Sequence, residues 1–163
     1  RGDVDHVLIG TSLPFLLGTL GCLVGGVLSD RLVTRFGLKT GRRIVGCGAL
    51  ATSAMLLLAM SLTRSKPAIV ALSSLGFGVA DLMLPVAWAV CLDIGRNHTG
   101  TVTGTMNMAG QLGGFICSVL FGYVVEATGN YNTPLWIISG MVAIASILFS
   151  RIDPTKPLFS ERD

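Results

Sequence analysis

Residues 7–28 read VLIGTSLPFLLGTLGCLVGGVL, an apolar run without a charged side chain that ends at Ser29-Asp30-Arg31. A helix of about 20 such residues crosses the hydrocarbon core of a bilayer. Four further runs have this character: 44–62, 68–92 with the single acid Asp81, 101–125 and 134–149. A polar tail, 150–163, follows. The composition agrees: 51% of residues are hydrophobic and 13% charged, against about 25% charged in soluble domains. The runs lack the alternation of a β-barrel strand. The expected class is an all-α integral membrane protein with five transmembrane helices.

The connections are short. Arg64-Ser65-Lys66-Pro67 and Gly129-Asn130-Tyr131-Asn132 are turns, as is Asp93 to Gly100, so consecutive helices should be antiparallel neighbours. One side then collects Arg31, Arg35, Lys39, Arg42, Arg43, Arg96, Arg151, Lys156 and Arg162, the other Arg1, Arg64 and Lys66. The bias towards basic loops inside makes the first side, and the C-terminus, cytoplasmic. Arg35 and Lys39 read as topology signals only. The sequon Asn97-His98-Thr99 falls on the cytoplasmic side and carries no weight. The start at Arg1, without Met or a signal sequence, suggests a piece of a longer protein.

Several functions are excluded. The net charge of +3 comes from loop residues, and no basic stretch is interleaved with aromatics for nucleic acid. Cys22, Cys47, Cys91 and Cys117 occupy different helices without metal-ligand spacing, and His6 and His98 fall in loops without ligand partners. No nucleophile–base pair, HExxH or phosphate loop is present, so neither an enzyme nor a cofactor is expected.

The strongest local pattern is Gly26-Val27-Leu28-Ser29-Asp30-Arg31 followed by Gly41-Arg42-Arg43. Glycine admits close helix approach, and a carboxylate at a helix end can pair with a nearby arginine, making a gate that breaks during a conformational cycle. The alternative is an ordinary basic loop. The pattern resembles the cytoplasmic loop motif of the major facilitator superfamily, with the longer insertion Leu32–Thr40 seen in its anion:cation symporter family. A second stretch is similar to the tenth and eleventh helices of that family: Leu84-Pro85-Val86-Ala87-Trp88-Ala89, Asp93-Ile94-Gly95 and Gly100 through Gly114. The resemblance implies helices 8 to 12 of a twelve-helix fold, with the N-terminal helices of the same polypeptide missing. It further implies a proton- or sodium-coupled carrier of small organic anions, multi-pass in a bacterial inner membrane.

Asp81, Pro85 and Trp88 stand at i, i+4 and i+7 and should share one helix face. An ionisable group at membrane depth faces a bundle interior or a watery cavity, so Asp81 is a candidate proton or cation site. The alternative is a structural acid bonded to a neighbouring Ser or Thr. Trp88 offers an indole donor and a flat surface for a sugar acid, unless it packs against helices or lipid. Asn107 and Gln111, with Thr103 before them, can donate to a carboxylate or hydroxyl, or bond between helices. The resemblance places substrate contacts near Trp88 and Asn107. Gly18, Gly21 and Gly25 form a packing stripe, and Gly104, Gly110, Gly113 and Gly114 are expected to pack as well. The expected activity is proton-coupled symport of a sugar acid such as a hexuronate or aldonate by alternating access. The competing reading is a non-transporting helical bundle or assembly subunit.

Overall fold

The computed structural model describes residues 2–158, with side chains described from Ser12 onward. Six α-helices account for nearly all of it: α1 (Gly2–Phe36), α2 (Leu38–Leu62), α3 (Lys66–Asp81), α4 (Met83–Gly95), α5 (Thr99–Thr128) and α6 (Asn132–Phe149). A single 3-10 turn, Arg96–His98, joins α4 to α5. No strand occurs among the described residues. Among the described residues four helical stretches are long and apolar enough to cross a membrane: Ser12–Phe36, Leu38–Leu62, Lys66–Thr128 and Asn132–Phe149.

Several boundaries differ from expectation. The insertion Leu32–Thr40 is not a loop: α1 runs on to Phe36, and Gly37 alone separates it from α2. Gly37 has φ +82°, a conformation that glycine adopts without steric penalty. Its N–H donates to the Val33 carbonyl and its own carbonyl accepts from Gly41 N–H, both at 2.9 Å, so the hydrogen-bond ladder nearly bridges the corner. The run 68–92 is not one helix either. It breaks at Leu82, because Pro85 has no N–H for the Asp81 carbonyl and its ring crowds that oxygen. The turn expected over Asp93 to Gly100 narrows to Arg96–His98, where Arg96 takes φ +43°. His98 lies in that turn. The backbone at His6 belongs to α1, and its side chain, like Arg1 and Arg162, lies outside the described residues.

Packing is uneven. α3 lies on both α1 and α2, while among the described residues α5 touches only α4, α6 and the 3-10 turn, and none of its residues is buried. The α1–α3 crossing is close enough that a Cβ on Gly21 would strike the Gly78 carbonyl, and one on Gly18 would strike Phe77 and the Asp81 carboxylate. The α2–α6 seam is stitched by hydrogen bonds. Trp136 donates to Ser61 Oγ at 2.9 Å, Ser139 to the Ala54 carbonyl at 2.8 Å and Ser146 to the Cys47 carbonyl at 3.0 Å. Each such bond contributes about 0.6 kcal/mol between membrane helices. A small apolar core, Val45, Val86, Val90 and Phe149, joins α2, α4 and α6. The glycines of α5 do not pack as expected: Gly104, Gly110, Gly113 and Gly114 have nothing within 4 Å of an added Cβ.

This asymmetry sets the tolerance to substitution. Gly21→Ala should destabilise the protein by about 1–3 kcal/mol, the range for overpacking, because the new methyl meets backbone. Gly104→Ala should be neutral or stabilise by up to about 1 kcal/mol through helix propensity. Unfolding midpoints of the detergent-solubilised variants measure both, and equal midpoints would contradict the packing described.

Candidate functional site

Two groups of polar residues stand out, one at the basic end of the bundle and one along α3–α5. At the basic end Arg42, on α2, reaches two other helices. Its Nη1 donates to Ser29 Oγ at 2.8 Å and to Asp30 Oδ1 at 2.9 Å, both on α1. Its Nε donates to Asp93 Oδ2 on α4 at 3.3 Å. The Arg42 side chain is 11% exposed and Asp93 21%, while Asp30 is 74% exposed. Gly41 makes the geometry possible, since a Cβ there would stand 2.5 Å from the Val33 nitrogen and hold α2 off α1. A Cβ added to Gly26 would stand 3.8 Å from Pro85 of α4, an ordinary contact.

Of the motif residues, the structure brings Asp30 and Arg42 into contact and sets Gly41 against Val33 of α1, while Gly26 lies nearer Pro85 of α4. Arg43 points elsewhere, donating from Nε to the Ile152 carbonyl at 2.8 Å. Arg31 is exposed and makes no ion pair among the described residues. Sequence reasoning missed Asp93 as the third member. Its signal was an acid at the end of an apolar run, on the same side as the arginines. It also missed Lys39, which is no mere topology signal: its Nζ pairs with Asp153 Oδ2 at 2.6 Å.

Asp153 keeps both carboxylate oxygens occupied. Oδ1 accepts from the Thr155 hydroxyl at 2.6 Å and from the Thr155 N–H at 3.2 Å. The hydrogen bond from Lys39, then that from Thr155, hold its carboxyl below the usual carboxylate range.

Along α3–α5 the residues are more dispersed. Asp81 ends α3, half-buried against Gly18 of α1, and has no hydrogen-bond partner among the described residues. Among the described residues no Ser or Thr bonds to it. Beyond the break, Pro85 also faces α1, whereas Trp88 is 43% exposed. Asn107 and Gln111 are exposed on α5. No hydrogen bond joins Asp81, Trp88, Asn107 and Gln111 to one another among the described residues. Trp88, Asn107 and Gln111 lie at a similar depth, however. Cys91 Sγ donates to Met106 Sδ at 3.2 Å, fixing the register of the antiparallel α4–α5 pair. One helical turn from Cys91 lies Trp88, so its level falls between Asn107 and Gln111. A cavity of about 240 Å³ lies between α5 and α6, lined by apolar residues including Ile116, Leu120 and Ile137, and holds none of these four.

The sequence profile of the Major Facilitator Superfamily matches residues 9–162. A probable sulfoacetate transporter of Cupriavidus necator is 35% identical over 153 residues, covering 93% of this chain and 36% of that protein. A hexuronate transporter of Bacillus subtilis is 28% identical, over 91% of this chain and 36% of its own length. A probable galactarate/D-glucarate transporter of the same organism is 33% identical, over 84% and 30%. The chain thus spans about a third of the length of these curated relatives.

Two outcomes follow at the basic end. Arg42→Ala strands the carboxylate of Asp93 and should destabilise by about 3 kcal/mol, the lower end for breaking a buried pair. Asp30→Asn, at an exposed carboxylate, should change stability by less than about 1 kcal/mol. Thermal unfolding in detergent separates the two. The Lys39–Asp153 pair should respond to pH in one direction. Because the folded carboxyl is held low, its contribution is present above the unfolded value of about 4 and lost only as pH falls below it. Protease cleavage of the tail should stay constant from about pH 5 to 8 and rise in stronger acid.

Proposed function

The chain belongs to the major facilitator superfamily, and from that premise we propose that it is part of a secondary active carrier of a small organic anion, of the sugar-acid class, driven by proton symport. Its relatives are named as transporters, not enzymes. The observation that carries the proposal is that their printed substrates, sulfoacetate, hexuronate and galactarate/D-glucarate, are all small organic anions.

In this reading the chain crosses the membrane five times, as helices 8 to 12 of a twelve-helix fold. The Lys66–Thr128 stretch of 63 residues would be about 95 Å long if straight, three times the hydrocarbon core. The packing of α4 on α5 supports a reversal at Arg96–His98, so α3 and α4 form one broken crossing and α5 the next. The basic end faces the cytoplasm of a bacterial cell, with the C-terminus inside. The remaining helices of the polypeptide complete the cavity near the bilayer midplane, and rocking of the halves alternates its access.

Trp88, Asn107 and Gln111 line this wall of the cavity. They stand at one depth, are exposed, and offer neutral donors to hydroxyl and carboxylate oxygens. The cation that neutralises the substrate comes from the remaining helices. Asp81, a carboxylate without a hydrogen-bond partner at the break in α3–α4, takes and releases the coupling proton. Arg42, Asp30 and Asp93, with Gly26, Gly41, Arg31 and Arg43, form the cytoplasmic gate.

Uptake of radiolabelled glucuronate, galactarate and sulfoacetate into proteoliposomes of the full polypeptide tests the reading. An imposed inward proton gradient should raise uptake about tenfold, and a protonophore should abolish the increase. Trp88→Ala and Asn107→Ala should each lower uptake at least about tenfold without changing the amount of folded protein. Asp81→Asn should remove the response to the gradient. Uptake driven by sodium alone would overturn proton coupling, and uptake of sulfoacetate alone would overturn the sugar-acid class.

A further inference from the structure

The segment after α6 is not a free polar tail. Pro154 is fully buried, and the residues around it are tied to two helices. The Ile152 carbonyl accepts from Arg43 of α2 at 2.8 Å, and Asp153 pairs with Lys39 of α2 at 2.6 Å. Thr155 and the Lys156 N–H, which donates to the Asp153 carbonyl at 3.2 Å, close a turn that redirects the chain. Leu158 then donates its N–H to the Ile94 carbonyl of α4 at 3.1 Å. The segment runs from the start of α2 to the end of α4, touching Arg43 and Ile94. These are the sequence neighbours of Arg42 and Asp93.

The placement matters because α4 is short and separated from α3. It is 13 residues long, and the break at Leu82 separates it from the tightly packed α3. Its apolar contacts to α2 are concentrated in the small core of Val45, Val86, Val90 and Phe149. The Nε contact of Arg42 to Asp93, at 3.3 Å, is the longest of its three hydrogen bonds and the one that spans α2 and α4.

We propose that residues 150–158 are a latch that fixes the end of α4 against α2, and that Asp153 and Leu158 are positioning residues for the Arg42–Asp93 contact. Lys39, Arg43 and Ile94 are its catches. The latch gives α4 two anchors, one at the apolar core and one at its end, so Asp93 stays within reach of the guanidinium. Its consequence for transport rests on reading the Arg42 cluster as a gate, whereas the latch itself does not.

Hydrogen–deuterium exchange of the full polypeptide in nanodiscs reads the latch without a substrate. Its outcome is therefore separate from whether any anion is carried. Asp153→Lys should raise exchange at least about tenfold in segments 38–46 and 90–98 while leaving 12–28 and 66–80 unchanged. Leu158→Pro, which removes the backbone donor and no charge, should reproduce the effect in 90–98. The exchanged pair Lys39→Asp/Asp153→Lys should return both segments to within about twofold of the parent. Unchanged exchange in Asp153→Lys overturns the proposal. So does a rise spread over all helices, which marks a general loss of stability, and so does failure of the exchanged pair to restore protection.

Discussion

Apolar burial alone cannot hold membrane helices together, because lipid tails surround a leucine as readily as another helix does. Association then rests on close approach of backbones and on polar groups that satisfy one another. Both are concentrated here in α1, α2, α3 and α6. The Gly21–Gly78 crossing brings α1 and α3 into backbone contact, and four hydrogen bonds, one of them from the Cys47 thiol, stitch α2 to α6. Ser53 adds a bond from α2 to the Gly76 carbonyl of α3 at 3.3 Å. The large exposed hydrophobics, Phe15, Leu62 and Ile147 among them, follow from the same constraint, since their natural partner is hydrocarbon.

Charge obeys the constraint in the opposite sense. A guanidinium as buried as that of Arg42 must find several acceptors, and it takes them from α1 and α4 at once. Its two carboxylates are not equivalent. Asp30 is mostly exposed and has water as an alternative partner; Asp93 is largely covered and has little else. A cluster of this kind separates more readily on the Asp30 side. The latch residues Asp153 and Leu158 strengthen that bias by holding the Asp93 side together.

How much was legible in the sequence follows from the range of the interactions. The helical runs and the outline of the motif are local, written in apolar length and in glycine and arginine within a few turns. The break at Leu82 was also written locally, in Pro85, but the apolar run continues through it and masks it. Asp93 and Asp153 were not legible. Their partners lie 51 and 114 residues away, and spacing along a chain carries no trace of pairings that distant. The glycines of α5 misled for a related reason: a small residue permits close packing, but whether a partner is present depends on the rest of the bundle.

The contrast between α1 and α5 bears on what each half of the chain can do. Both helices are rich in glycine, yet Gly21 and Gly25 of α1 face backbone at close range and those of α5 have nothing within 4 Å of an added Cβ. A lipid-exposed helix has no use for Thr103, Asn107 and Gln111 along its length, because each amide left without a partner in hydrocarbon is unfavourable by more than a kcal/mol. These side chains are compatible with a membrane only where water, another helix or a polar solute meets them. The Cys91–Met106 contact places Trp88 at the same level on α4. Under the proposed reading that level is the cavity wall, and the hydroxyls and carboxylates of a sugar acid supply the acceptors and donors that the amides lack. The firmly seamed helices then act as the frame, and α5, with no buried residue, as the part with freedom to respond to the solute.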